Sequence, residues 1–462
     1  MPRLRTLILL LGDILLLAAA YLAAYVVIFK PLDWYDASQF LIDDNGLISI
    51  LLLTGIILFA MYLLGLYQRI RIQSRRDLAE DLMLVFGVCF VLQAFFSFTR
   101  GFYALPRSIS LLGALLAFGS IIIWRTFYSS LLLRVSGLQK VLFWGDTKIA
   151  RDLAHHLIQY PEKGFRVAGL VSTEDFSALD EGFPSSVVLY LGSDLFDQIK
   201  RINPDRVCVS GTISPSDPLG EPLLKLSMLG ITVESAGDLH ELVLQRVCLE
   251  TLTLNQLIFS PQFRPARWKI LCQNLYGSIL ALIGILITWP LMILAAIAIR
   301  LDSPGPALLR QRRVGRNGAE FEILKFRSMY IDGDARFGTI RADKQDPRIT
   351  RVGRFIRVTR IDELPQFFNV LRGEMAFVGP RPEMPVYTEQ LTRGIPLYPQ
   401  RLRVKPGITG WAQLFHEPEI TLEQTRRKVE YDLYYIKNMS PLMDFLIFFH
   451  TIRTLLYRTG AR

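Results

Sequence analysis

The chain has 462 residues, too many for one hydrophobic core, and 51 % of them are hydrophobic, more than a soluble protein of that size needs. Its formal charge of +10 is concentrated at one end: residues 301–462 hold 27 Lys and Arg against 18 Asp and Glu. A single soluble domain is excluded, whereas the charge suits nucleic acid, an anionic membrane face or a phosphorylated substrate equally well. The four cysteines, Cys89, Cys208, Cys248 and Cys272, have no CxxC spacing, and the five histidines show no metal-ligand spacing. Neither a disulfide framework nor a thiolate or histidine metal site is expected.

Four apolar segments occupy the first third, at 7–29, 47–66, 82–98 and 108–124, each near the ~20 residues that span a bilayer. The opening Met-Pro-Arg-Leu-Arg runs into the first without a small-residue cleavage site, so it is expected to stay as an anchor. Arg3, Arg5, Arg69, Arg71, Arg75, Arg76, Arg134 and Lys140 flank the spans on one side. Asp33, Asp36, Asp43 and Asp44 crowd the first loop, so the positive-inside rule puts both ends of the bundle in the cytoplasm. Asp13 lies inside the first span. Arg125 sits at a matching depth on the fourth, and a structural ion pair between them is the favoured reading.

From 137 to 260, short apolar runs (Val141 to Gly145, Arg166 to Val171, Val187 to Leu191, Arg206 to Ser210, Ile231 to Glu234) alternate with amphipathic stretches, the pattern of a parallel α/β sheet. The first run ends in Gly145-Asp146-Thr147-Lys148-Ile149-Ala150, which keeps only the first glycine of a dinucleotide fingerprint. A Rossmann-like scaffold without a nucleotide cofactor is expected. Another apolar run, Leu275 to Ile299, is long enough to span, but Pro290 should break it, and basic residues lie at both ends. A re-entrant hairpin over 275–299 satisfies both observations and keeps the basic C-terminal domain in the cytoplasm.

Residues 301–382 are dense in polar signatures: Asp302-Ser303-Pro304-Gly305-Pro306, Arg310-Gln311-Arg312-Arg313-Val314-Gly315, Lys325-Phe326-Arg327-Ser328-Met329, Asp362-Glu363-Leu364-Pro365-Gln366 and Gly379-Pro380-Arg381-Pro382. Lys405-Pro406-Gly407-Ile408-Thr409-Gly410-Trp411 and Tyr431-Asp432-Leu433-Tyr434-Tyr435-Ile436 follow. Pro365 and Gly373 bracket a short helix, placing Asp362 and Glu363 just before a helix N-terminus, where a phosphate finds free N–H groups. Plain N-capping is the alternative for that acidic pair. Arg348, Arg351, Arg354, Arg357 and Arg360 recur every three residues and gather positive charge upstream, on a substrate-facing or lipid-facing surface.

In this order the motifs resemble the bacterial polyprenyl-phosphate hexose-1-phosphate transferases, which initiate exopolysaccharide and O-antigen assembly. The match covers about residues 265–462, and the preceding bundle and α/β domain resemble the larger members. The resemblance implies an enzyme that moves hexose 1-phosphate from a UDP-sugar to polyprenyl (undecaprenyl) phosphate and releases UMP. It implies that Asp362 forms a covalent phosphosugar intermediate with Mg2+ present, held in part by Asp362 itself, and that Glu363 assists. Pro380, Arg381 and Pro382 then bind the nucleotide sugar, with Lys325, Arg327 and Arg357 at the same phosphate site. Arg360-Ile361 stands where the family often has Ser-Leu, and Trp289-Pro290 where it often has Ser-Pro, which bears on helix geometry rather than on the acidic pair.

The expected architecture is therefore a four-helix membrane bundle (1–136), a Rossmann-like α/β domain (137–260) and a mostly α catalytic domain (261–462) with a re-entrant membrane helix. The expected location is the bacterial inner membrane, multi-pass, with the catalytic domain on the cytoplasmic face. Membrane lipid and a second copy in a homodimer are expected partners; nucleic acid is not. Two other classes compete with this reading. A membrane-anchored nucleotide-sugar dehydratase needs an intact glycine fingerprint and a Tyr-x-x-x-Lys pair, and Tyr160 to Lys163 has the wrong spacing. A non-enzymatic lipid-binding scaffold leaves the acidic pair and its neighbours unexplained. Sequence does not distinguish glucose from galactose, which differ by one hydroxyl epimer.

Overall fold

The computed structural model describes residues 2–29, 39–43, 45–64, 66–67, 75–98, 105–136, 138–145, 147–172, 188–190, 195–211, 220–331, 346–395, 397–415 and 421–457. Asp33, Asp36, Asp44, Arg69, Arg71, Asp146 and the ends of the run Val187 to Leu191 lie outside the described residues. The chain divides into two compact units, Met1–Leu239 and His240–Arg462.

The first unit opens with four helices: α1 (Pro2–Phe29), α2 (Gly46–Leu63), α3 (Arg75–Phe98) and α4 (Arg107–Ser136). Small residues let backbones approach, since a Cβ on Gly12 would strike the Trp124 ring and one on Gly113 the Tyr21 ring. Asp13 is 0 % exposed and pairs with Arg125 at 2.6 Å, while Tyr67 Oη donates to the same carboxylate oxygen at 2.8 Å. Arg125 also donates to Leu66 O, so the expected pair ties α1, α4 and the end of α2 together.

Among the described residues four helices are long and apolar enough to cross a membrane: Thr6–Phe29, Gly46–Leu63, Arg107–Leu131 and Pro261–Asp302. The segment at 82–98 is helical within α3, and its apolar stretch among the described residues runs Asp81–Phe90.

The same unit holds a five-stranded parallel sheet in the order β3-β2-β1-β4-β5, built from β1 (Gln139–Trp144), β2 (Phe165–Ser172), β3 (Val188–Tyr190), β4 (Arg206–Val209) and β5 (Thr232–Ser235). Helices α5 (Lys148–Gln159), α6 (Leu195–Ile202) and α7 (Gly220–Met228) connect the strands. On α5 the buried residues are Ala150, Leu153, Ala154 and Leu157, the i, i+3, i+4, i+7 stripe of a helix laid on a sheet. Leu142, Trp144, Val171, Val207 and Val209 meet Ile199, Leu223 and Leu226 in a shared core.

Helix α8 (Ala236–Leu244) crosses into the second unit and is followed by α9 (Leu254–Phe259). The stretch from His240 onward packs with the second unit. Lys437 pairs with Glu241 at 2.7 Å, Trp411 Nε1 donates to Gln245 O at 3.0 Å, and Phe263 is 3 % exposed within that unit's core.

Helix α10 (Arg267–Asp302) is helical throughout, with Pro290 inside it, so the expected interruption of the helix at that proline is absent. Proline removes the donor that would serve the carbonyl of Leu286, and one turn earlier the Thr288 hydroxyl donates to Gly284 O at 2.6 Å, a bond to the i−4 carbonyl that goes with a bend rather than a break. The middle of α10 presents apolar side chains outward, Ile287 at 72 % and Leu294 at 64 % exposure.

The remaining elements are a hairpin of β6 (Leu308–Val314) and β7 (Glu320–Phe326), helices α11 (Arg351–Val358) and α12 (Gln366–Leu371), and strands β8 (Ala376–Val378) and β9 (Gly407–Thr409). With them come α13 (Pro385–Gly394), α14 (Trp411–Phe415), α15 (Leu422–Asn438) and α16 (Pro441–Tyr457). Val429, Leu433 and Ile436 of α15 anchor the core with Tyr398, Trp411 and Ile447.

Candidate functional site

Asp362 and Glu363 lie in a 3-10 turn, Ile361–Glu363, between α11 and α12. Arg360 before it adopts a left-handed conformation at φ 58°, which turns the chain sharply out of α11. Helix α12 starts at its Pro365 cap with no side-chain hydrogen bond, so neither carboxylate is used as an N-cap.

Two polar ties place this turn against the hairpin. Asn369, fully buried on α12, accepts from Leu324 N at 2.9 Å and donates to Glu322 O at 2.7 Å, fixing α12 to β7. Asp302 at the end of α10 accepts from Val352 N at 3.0 Å, fixing the start of α11. Lys325 on β7 is thereby held close enough to both acids to share their electrostatics.

Glu363 accepts from Arg381 at 3.3 Å and from Arg360 at 3.5 Å. Burial opposes its ionisation, but Arg381, Lys325 and Arg360 outweigh it and hold the carboxyl below its ordinary range. Asp362 goes the other way. Burial and the neighbouring Glu363 charge push it up to about 6 against Lys325, Arg360 and Arg357, and its Oδ1 is buried without a hydrogen-bond partner among the described residues. Lys325 is pushed down to about 8 by burial and by the Arg381 charge. Its ammonium makes no hydrogen bond among the described residues, leaving it available to an incoming anion.

The Gly379-Pro380-Arg381-Pro382 turn follows β8. A Cβ on Gly407 would collide with Gly379 N, so β8 and β9 reach their spacing only because both motifs place glycine there. Arg401 is buried with Asp432, Nε to Oδ2 at 2.9 Å, and donates to Arg381 O at 2.8 Å. Arg313 donates to Pro382 O at 3.3 Å. Glu383 balances these cations, with Lys428 at 2.6 Å and Arg313 at 3.9 Å. Burial works against its charge, yet Lys428, Arg401 and Arg313 keep its carboxyl below the usual range.

The structure thus gathers Asp362, Glu363, Lys325 and Arg381, with Arg357 acting on Asp362 and Pro380 and Pro382 framing Arg381. Arg327 does not join them. Its guanidinium donates to Pro304 O, to Ser303 O at 2.8 Å and to Ile299 O at 3.4 Å, closing the C-terminal end of α10. The arginines spaced by three also separate: Arg348 pairs with Asp346 at 2.7 Å and is buried, while Arg351 and Arg354 are exposed on α11. Sequence reasoning missed Asn369, Arg401, Glu383 and Lys428. Their signal is burial of a polar group with its partner distant along the chain.

Known proteins resemble this chain, one of them over nearly its whole length. The bacterial sugar transferase family matches residues 268–458. A UDP-glucose:undecaprenyl-phosphate glucose-1-phosphate transferase of Xanthomonas campestris pv. campestris is 32 % identical over 94 % of this chain and 90 % of its own length. A UDP-N-acetylgalactosamine-undecaprenyl-phosphate N-acetylgalactosaminephosphotransferase of Aeromonas hydrophila is 42 % identical over 52 % of this chain, which spans 56 % of that relative. An exopolysaccharide production protein of Rhizobium leguminosarum bv. phaseoli is 40 % identical over 39 % of this chain and 90 % of its own length. Similarity that runs nearly end to end with the Xanthomonas protein, together with the match over the unit that carries the acidic pair, establishes that this chain belongs to the bacterial sugar transferase family.

Proposed function

We propose that this protein transfers hexose 1-phosphate from a UDP-sugar to polyprenyl phosphate, yielding a polyprenyl-diphosphate sugar and UMP, the first committed step of an exopolysaccharide or O-antigen. The observation that carries the proposal is the buried Oδ1 of Asp362, without a hydrogen-bond partner among the described residues, beside Glu363, Lys325 and Arg381. A carboxylate so placed attacks the sugar-bearing phosphorus, and the bond from that phosphorus to the bridging oxygen breaks to release UMP. An oxygen of the polyprenyl phosphate then attacks the same phosphorus and frees Asp362. Lys325 and Arg381 hold the diphosphate, and Glu363 orients Arg381 through their 3.3 Å pair. The names of the relatives support the donor and acceptor classes, two of them carrying glucose and N-acetylgalactosamine.

The unpartnered Asp362 oxygen also fits Mg2+, which takes one or two carboxylates plus substrate phosphates. Asp362, with Glu363 beside it, would hold the ion, and when bound it would shield the diphosphate charge from the approaching carboxylate.

The strand order β3-β2-β1-β4-β5 supports reading the α/β domain as Rossmann-like. At the β1/β4 switch point Ser210 Oγ donates to Gly145 O at 2.6 Å. For α10, packing supports the re-entrant reading. Ala281 clusters with Ile323 of β7, and Ala295 and Ile299 cluster with Phe326 of the same strand. A straight helix would separate Ala281 from Ala295 by about 21 Å, whereas three strand residues cover about 10 Å.

Basic residues at both ends of α10 support reading the catalytic unit on the cytoplasmic face of the bacterial inner membrane. Cysteine labelling should find positions after 300 reachable from the cytoplasm; access only from the periplasm contradicts it. The expected homodimer would migrate in detergent as two 52.7 kDa chains. Transfer of label from a UDP-sugar into extractable lipid tests the activity, and a panel of UDP-sugars that leaves the lipid unlabelled would refute it.

A further inference from the structure

A second buried polar centre lies in the same unit, away from the acidic pair. Asp444, on the first turn of α16, is 1 % exposed. Tyr435 Oη of α15 donates to its Oδ1 at 2.7 Å. Tyr276 Oη and Gln273 Nε2 of α10 donate to its Oδ2, the latter at 2.9 Å. Gln273 Nε2 also lies 3.0 Å from Val378 O, and Tyr435 Oη lies 3.3 Å from it. One carboxylate thus gathers three side-chain donors, and one of them, Gln273, spends its second amide hydrogen on the last carbonyl of β8, while the single Tyr435 hydroxyl hydrogen goes to Asp444. Gly379, Pro380 and Arg381 follow that carbonyl directly, and the turn is pinned beyond it by Gly379 N to Thr409 O at 2.9 Å and Gly407 N to Pro380 O at 3.0 Å.

This arrangement is costly unless it is used. A carboxylate taken out of water forfeits hydration that three neutral donors only partly replace, and burial pushes Asp444 up to about 6 in spite of them. An apolar residue would fill the junction of α10, α15 and α16 as well, since Tyr276 already stacks near Phe445 and Phe377 packs on Phe448. What a hydrophobic plug cannot do is hold the Gln273 amide so that its second hydrogen meets that backbone carbonyl.

We propose that Asp444 is a positioning residue: held by Tyr435 and Tyr276, it orients Gln273, which fixes Val378 and hence sets Arg381 in register with the membrane helix α10. The inference rests on the reading of Arg381 as a donor-phosphate ligand. Its consequence is that the donor site is indexed to the helix that enters the lipid, so that a UDP-sugar is held at a set depth relative to the acceptor.

A double-mutant cycle on the KM for UDP-sugar in the full-length protein tests this. Asp444→Leu should raise donor KM about tenfold in the otherwise unaltered protein but less than about twofold in an Arg381→Ala background, because both changes remove the same contact. Tyr435→Phe keeps the ring and gives a smaller shift of the same kind should Asp444→Leu fold poorly, and Asp444→Asn, which can still accept one donor, should recover part of the loss. Additive effects, or a fall in melting temperature with donor KM unmoved in Asp444→Leu or Tyr435→Phe, would overturn the proposal. An Arg381→Ala protein with unchanged donor KM would instead refute the reading of the donor site, a separate outcome.

Discussion

Asp362 and Glu363 are neighbours in sequence and differ in what surrounds them. Glu363 has two guanidinium partners within 3.5 Å, whereas Asp362 has a bare buried oxygen and an elevated pKa of about 6. The first suits a fixed anion and the second a nucleophile. Asp362 must be ionised to attack, so kcat/KM should fall as pH drops through about 6. Lys325 must be protonated to bind phosphate, so it should fall again as pH rises through about 8. A profile flat from pH 5 to about 9 would contradict both assignments. The motif spacing made Asp362, Glu363, Lys325 and Arg381 legible in the sequence. Arg327 was misplaced for a specific reason: β7 ends at Phe326, so the alternation that would put residues 325 and 327 on one face stops one residue short.

At the level of elements, the site is a junction of short pieces, none stable alone, held by buried polar side chains. Asn369 is the clearest case, with Leu324 N, Glu322 O and Glu374 all bound to one amide. Asn369→Ala should destabilise the catalytic unit by about 2–4 kcal/mol, read by denaturant or thermal unfolding in detergent, since it strands two backbone groups. Less than about 0.5 kcal/mol would mean that α12 is tied to the hairpin by packing alone. Strands β1 to β5 were legible from their short apolar runs because a parallel sheet is buried on both faces. Helix α10 was read only in part: Pro290 and the apolar length are plain in the sequence, but not that helical backbone continues through the proline.

For the molecule as a whole, the chain divides into its two compact units between Leu239 and His240, and the stretch from 240 to 266 belongs with the catalytic unit. Composition did not reveal this, because that stretch has the same mixed character as the α/β domain before it and its partners lie more than a hundred residues ahead. Phe263 is the test. Its replacement by Ala should cost about 3–5 kcal/mol and lower the temperature at which transferase activity is lost. A free linker would tolerate it. In the bundle, the Asp13–Arg125 pair was legible because two charges at one depth in apolar helices have few other reasons to be there.

The central claim is a covalent phosphosugar on Asp362, and intact-protein mass spectrometry addresses it directly. Incubation with a UDP-sugar and Mg2+, without polyprenyl phosphate, should add one hexose phosphate to the protein and release a matching amount of UMP. The adduct should map to the peptide carrying Asp362, disappear on adding polyprenyl phosphate, and be absent from a folded Asp362→Asn protein. Full turnover with lipid but no adduct and no UMP without it, or near-normal turnover by Asp362→Asn, would contradict the account.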